Sequence, residues 1–280
     1  MSFGYHARTN VSARDRGTYL AAAIEFARAA GAVILPHFRN NPTVENKRTD
    51  GSFDPVTVAD KAAEAIIRAG IEARFPTHGI FGEELGHQSG AGLTWVIDPI
   101  DGTRAFMTGM LHWGVLIALF DGAAPVLGVM YQPFTDELCV GTNDAAVYRR
   151  GALERPLTVR PCASIADAVL ATTAPEAFTN AAERAAFDAL GRRVRLVRYG
   201  GDCYQYCMLA MGYVDVVVEA GLKPYDVQAL MPIVRGAGGI VTAWDGGDAS
   251  MGGRVIAAGD ARVHREAMEM LNNNLAGKPA

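Results

Sequence analysis

Residues 95–103 read Trp95-Val-Ile-Asp98-Pro-Ile-Asp101-Gly-Thr103. A short apolar run ends on one aspartate, and a second follows three residues later across a proline. The reading is that Asp98 ends a strand over 93–98 and Asp101 opens the next segment. A residue before proline is held extended, and Gly102 permits a tight turn. Both carboxylates can then converge with the Ile100 carbonyl and the Thr103 hydroxyl. That many hard oxygen donors suit Mg²⁺ or Mn²⁺. An Asp cap followed by a turn is the plainer alternative for this segment.

Three other acidic segments bear on the choice. Phe81-Gly-Glu83-Glu84 puts paired acids behind a short apolar piece, where like charges repel unless water or a cation separates them. Glu83 is therefore a further candidate ligand, although such a pair is also what a solvated surface carries. Asp54-Pro-Val-Thr57-Val-Ala-Asp60 leads into a helical pattern. There Thr57 fits the cap and Asp60 the positive end of the helix dipole. Glu219-Ala-Gly-Leu-Lys-Pro-Tyr-Asp226 ends a valine-rich strand and starts a helix, so Asp226 reads equally as an N-cap or as a site acid.

The chain around these segments has 280 residues, enough for one large domain or two closely joined ones. Half of its residues are apolar, 20% are charged, and the formal charge is −4. Neither a disordered chain nor a generic nucleic-acid binder has that balance. The first sixteen residues are polar and include Arg8, Arg14 and Arg16, unlike an export signal. No run of about 18 uncharged apolar residues is seen, which argues against a membrane span. The cytoplasm is the expected compartment. Cys139, Cys162, Cys203 and Cys207 are few for this length, and they read as buried free thiols rather than a zinc site.

Apolar residues recur at Leu20, Ile24, Ala27, Gly31, Ile34 and Phe38, one face of a helix over 19–38. A second helix is expected over 58–75. Short apolar or alternating runs at 113–120, 126–131, 137–141 and 146–149, separated by turn signals, predict an antiparallel meander. Beyond residue 181 helices and strands alternate: 203–211, 215–219, 227–236, 239–242, 255–258 and a last helix from about 260. A layered α/β fold follows, with two halves, 1–150 and 151–280, forming one catalytic unit.

In this order the four acidic motifs, with Gly236-Ala-Gly-Gly239 behind the last, resemble the inositol-monophosphatase family of Mg²⁺-dependent, lithium-sensitive phosphatases, over most of the chain. The resemblance implies an αβαβα sandwich of the type shared with fructose-1,6-bisphosphatase, an active site between the two halves, and a homodimer. It further implies that Glu83, Asp98, the Ile100 carbonyl, Asp101 and Asp226 hold two or three Mg²⁺ ions. Glu83 and Thr103 would orient the attacking water, with Asp60 accepting a hydrogen bond from Thr103. Gly102 and Thr103 amides would cradle the phosphate, with Arg104 either closing over it or pairing at the surface. The partner would be a small phosphomonoester, with no nucleic acid and no membrane.

Three stretches are more specific. Trp113-Gly-Val-Leu-Ile-Ala-Leu119, Arg198-Tyr-Gly-Gly-Asp202-Cys-Tyr-Gln-Tyr206 and 219–226 are similar to the histidinol-phosphate phosphatases of the family. Ala105 stands where the inositol-phosphate branch commonly has asparagine. A substrate with an ammonium and an imidazole needs acids away from the phosphate, and Asp202 and Glu219 are the candidates. Alternatively Asp202 caps the helix from Cys203 and Glu219 merely ends a strand. The rival activities are inositol-1-phosphate or broad sugar-phosphate hydrolysis, hydrolysis of a nucleotide such as 3′-phosphoadenosine 5′-phosphate, and a non-catalytic metal and phosphate binding module.

Overall fold

The computed structural model describes residues 9–40, 44–46 and 55–276. Asp54 lies outside them. Helix α1 (Ala13–Ile34) starts at the Ser12 cap, and after the short pair β1 (Val44–Asn46) and β2 (Pro55–Thr57) comes α2 (Val58–Arg74). Strands β3 (Gly79–Gly82), β4 (Gly86–Gln88) and β5 (Thr94–Asp101) precede the one-turn α3 (Thr103–Met107). The meander follows as β6 (Gly114–Phe120), β7 (Pro125–Gln132), β8 (Glu137–Gly141), β9 (Ala146–Arg150) and β10 (Leu153–Pro156). Together they form an eight-stranded sheet ordered β10-β9-β8-β7-β6-β5-β3-β4, in which only β3 and β5 pair in parallel.

A second sheet begins with β11 (Val169–Thr172), followed by α4 (Ala181–Gly191), β12 (Leu196–Tyr199), α5 (Asp202–Ala210) and β13 (Val216–Leu222). Two short helices, α6 (Pro224–Val227) and α7 (Leu230–Gly236), then β14 (Ile240–Ala243), β15 (Gly253–Ala258) and α8 (Ala261–Leu275) complete the chain. The order of this sheet is β12-β11-β13-β15-β14.

Alternation along the strands sorts the core into layers. Trp95 and Ile97 of β5 pack with Phe26 and Ile34 of α1 and Ile67 and Ile71 of α2. Val96, on the other face, packs with Leu209 of α5, Ile233 of α7 and Val217 of β13. Val216 and Val218 turn to Phe187 of α4 and Val263 and Leu271 of α8. The result is helices, sheet, helices, sheet, helices, as expected from the αβαβα reading. Gly128 and Gly141 make the middle contact possible. A Cβ on Gly128 would lie 1.9 Å from the Ala229 carbonyl oxygen, and one on Gly141 2.4 Å from that of Pro232.

Three expectations change. The strand read over 93–98 continues through Pro99 to Asp101, because β5 carries an irregularity opposite β6: Asp98 pairs with Leu116 and Asp101 with Gly114. Three steps on one strand match two on the other, which is a β-bulge. The helix read over 227–236 is broken into α6 and α7. Finally, α1 with the turn to His37 is, by length and composition, apolar enough to cross a membrane. Glu25 and Arg28 interrupt it, so the run is not an uncharged one of membrane length. Its Ala22, Phe26, Ala30 and Ile34 are buried in the core.

Candidate metal centre

The bulge in β5 builds the centre. Pro99 has no N–H to give to the ladder, and the Ile100 N–H turns back to Asp98 Oδ1 at 3.1 Å. The Ile100 carbonyl accepts from the Thr103 hydroxyl at 3.1 Å. Gly102 has φ +84°, and a Cβ there would meet the His112 carbonyl oxygen at 2.6 Å, so only glycine makes this turn without strain. Asp101 Oδ2 accepts the Cys203 N–H at 2.6 Å, which ties the bulge to the start of α5. Asp226 lies on α6 behind Pro224, and its Oδ2 accepts the Lys223 N–H at 2.7 Å.

One carboxylate oxygen from each of Asp98, Asp101 and Asp226 lies within 4.8 Å of the others; Asp98 is buried and the other two are partly exposed. Glu83 stands outside this trio, but its carboxylate lies close enough to Asp98 to raise that group. Burial pushes Asp98 well above the usual carboxylate range, and the neighbouring Glu83, Asp101 and Asp226 add to the effect. Asp101 is raised by burial and by Asp202 and Asp226, and Asp226 is pushed up to about 7, again chiefly by burial. A hard divalent cation among these oxygens would remove both the repulsion and the desolvation penalty. The donor set fits one.

Asp60 departs from expectation. Its Oδ2 accepts from the Thr57 N–H at 2.8 Å and the Thr57 hydroxyl at 2.5 Å, not from Thr103. As the third residue of α2 it folds back on its own N-cap, and that local capping box captures the carboxylate. The other oxygen, Asp60 Oδ1, is buried with no hydrogen-bond partner. Burial, with a contribution from Glu83, raises this group to about 6.

A cavity of about 260 Å³ adjoins the centre. Asp101, Gly102, Thr103, Arg104, Asp202, Glu219 and Asp226 all line it. Asp202 is the first residue of α5, at φ +41°, while Gly201 occupies the cap position with no capping side chain. The capping alternative for Asp202 is therefore not what the structure has. Its carboxyl is raised to about 6 by burial, an effect opposed by Arg104. Glu219 is buried in β13 and accepts from the Thr173 N–H at 2.8 Å, the Thr173 hydroxyl at 2.9 Å, the Thr172 hydroxyl at 3.2 Å and Gln205 Nε2. Burial still raises it to about 7. Thr172, Thr173 and Gln205 carried no signal in the sequence, because their partner is 14 to 47 residues away.

These shifts have a consequence for stability. Asp60, Asp202 and Asp226 have folded-state pKa values above their ordinary value. The folded protein therefore binds more protons than the unfolded chain between about pH 4 and 7, and stability falls as pH rises through that window. In EDTA the Tm is expected to drop by several degrees between pH 5 and pH 8, and saturating MgCl₂ at pH 8 should restore it. Scanning calorimetry at the four combinations checks both.

Five alternating layers place an acidic, cation-fitting centre beside a polar cavity lined from both sheets. The chain belongs to the inositol monophosphatase family, whose family model matches residues 15–278. It is thus a phosphatase, a phosphoric monoester hydrolase of a metal-dependent family. Among its relatives, the chloroplastic bifunctional phosphatase IMPL2 of Arabidopsis thaliana is 38% identical over 275 residues, which cover 94% of this chain and 78% of that protein. A histidinol-phosphatase of Chlorobaculum parvum is 36% identical, with 90% and 95% covered. A solved inositol monophosphatase from Zymomonas mobilis is 39% identical with a TM-score of 0.82, covering 94% of this chain and all of that one.

Proposed function

We propose that the protein hydrolyses L-histidinol phosphate to L-histidinol and phosphate with Mg²⁺, as a step of histidine biosynthesis. One observation carries the choice of substrate. The cavity beside the aspartate centre is also lined by Asp202 and by the buried, fourfold hydrogen-bonded Glu219. A neutral polyol gives no return for burying that acid, whereas an ammonium or imidazolium does.

Glu83, Asp98, the Ile100 carbonyl, Asp101 and Asp226 would hold two or three Mg²⁺ ions, Mn²⁺ being the alternative. The bound cation supplies positive charge to the phosphoryl oxygens and acidifies water. Glu83 and the Thr103 hydroxyl orient the attacking water for in-line displacement at phosphorus, and no phosphoenzyme is needed. In this reading Thr103 turns from the Ile100 carbonyl toward Asp60, whose Oδ1 has no other partner. The amides of Gly102 and Thr103, at a helix start, hold the phosphate, with Arg104 beside them. Asp202 and Glu219 accept from the cationic end of the substrate. The same reading takes the protein as a homodimer, which the family resemblance supports, with 1–150 and 151–280 forming one catalytic unit and the cytoplasm as its expected compartment.

A second reading, inositol-1-phosphate hydrolysis, is favoured by the 39% identity to an inositol monophosphatase. Phosphate release from equal concentrations of histidinol phosphate, inositol 1-phosphate and a sugar phosphate, with MgCl₂, decides. A higher kcat/KM on histidinol phosphate is expected, and a tenfold preference for inositol 1-phosphate overturns the proposal.

A further inference from the structure

Glu64, one turn beyond Asp60 on α2, has no place in the chemistry above, yet its carboxylate is fully buried. Its Oε2 accepts the Glu84 N–H at 2.7 Å, and its Oε1 accepts the Leu85 N–H at 3.1 Å and Arg68 Nε at 2.7 Å. Arg68 in turn donates to the Gly86 carbonyl. One ion pair thus satisfies three consecutive backbone groups of the turn between β3 and β4, the turn that carries Glu83. The upstream side is pinned as well, since the Glu83 N–H donates to the Ile97 carbonyl of β5 at 3.2 Å. Gly82 leaves room for the arrangement, because a Cβ there would lie 1.9 Å from Glu64 Oε1. A glycine of β3 and a buried acid and an arginine of α2 converge on one three-residue turn, 83–85, and Glu83 of that turn lies close enough to Asp98 to raise its pKa.

We propose that Glu64 is a positioning residue for the metal centre: it fixes the backbone of residues 84–85 so that the Glu83 carboxylate is preset beside Asp98. The inference rests on the reading of Glu83 as a ligand. A preorganised donor binds its cation without first ordering a loop, and partners behind a ligating carboxylate set its affinity. Removing the anchor should therefore weaken Mg²⁺ binding by about 10–100-fold while leaving the substrate contacts in place.

The test is a MgCl₂ titration of the Tm at pH 8, without substrate, on the wild type, Glu64→Gln and Gly82→Ala. Glutamine puts an N–H₂ against groups that are all donors. Gly82→Ala displaces the same carboxylate while the ion-pair residues stay. Asp215→Asn, which breaks a salt bridge to Arg160 remote from this turn, serves as a variant that is destabilised without touching the turn. Both turn variants are expected to need at least tenfold more Mg²⁺ for the half-maximal Tm increase, with KM for histidinol phosphate at saturating Mg²⁺ within threefold of wild type. Asp215→Asn should lower Tm at every concentration and leave the Mg²⁺ midpoint unmoved. Should either turn variant not fold, the other carries the test. An unchanged midpoint in a folded turn variant overturns the positioning role, whereas a wild type whose Tm ignores Mg²⁺ overturns the metal reading itself.

Discussion

Asp98→Asn is expected to fold and to lose turnover by about a thousandfold or more, the scale on which losing a key electrostatic contact to a transition state acts. The side chain keeps its shape, and its Oδ1 can still accept the Ile100 N–H that closes the bulge. What disappears is an acid whose ionisation is opposed by burial and by three acidic neighbours. Without cation the variant should therefore be at least as stable as the wild type at pH 8, because the repulsion within the trio is relieved. With Mg²⁺ it should gain less stability and hydrolyse slowly. Turnover near the wild-type rate would remove Asp98 from the centre, and a collapse in Tm would reduce it to a structural acid.

Glu219→Gln should raise KM for histidinol phosphate by about tenfold or more and change KM for a neutral polyol phosphate little. A hydrogen bond to a charged partner contributes about 1.5–3 kcal/mol, and the glutamine retains an acceptor for the Thr173 N–H. The pH dependence sharpens the test. With a folded-state pKa near 7, Glu219 is largely protonated at pH 6 and ionised at pH 8, and only the ionised form attracts a cation. For the substrate's ammonium, which stays charged over this range, the ratio of variant to wild-type KM should therefore grow as pH rises through 7. Equal effects on both substrates would make Glu219 structural.

Elements of at least five residues with clear alternation or helical spacing could be read directly: 137–141 coincides with β8, and 58–75 with α2 to within a residue. The four-residue strands β3, β10, β11 and β12 are not legible, since Gly79-Ile-Phe-Gly82 or Leu196-Val-Arg-Tyr199 is too short for a period to declare itself. The eleven-residue α4 is missed as well, because its alanine-rich run offers only Phe187 and Leu190 as large apolar positions. Pro99 was misread as a strand stop because its missing N–H is absorbed by a bulge visible only against β6. At the site, the acids were legible because carboxylates in apolar frames demand an explanation. The groups that hold them were not. Thr173 serves Glu219 from 46 residues away and Glu64 serves the Glu84 amide from 20, and no spacing rule connects such pairs. Asp60 shows the converse: Thr57, three residues away, takes Oδ2 of a carboxylate that the resemblance assigns to Thr103.

The bulge also settles a question of parity. Along a regular strand, residues three apart face opposite ways, so Asp98 and Asp101 in an unbroken ladder would point to opposite sides of the sheet. The one extra residue restores them to the same side, just as it leaves Ile97 and Ile100 together in the core beneath α1 and α2. The pair of acids is thus created by the number of residues in the segment as much as by their identity. The same spacing in an unbroken strand would keep every carboxylate in its sequence and turn Asp98 and Asp101 to opposite faces, with no centre between them.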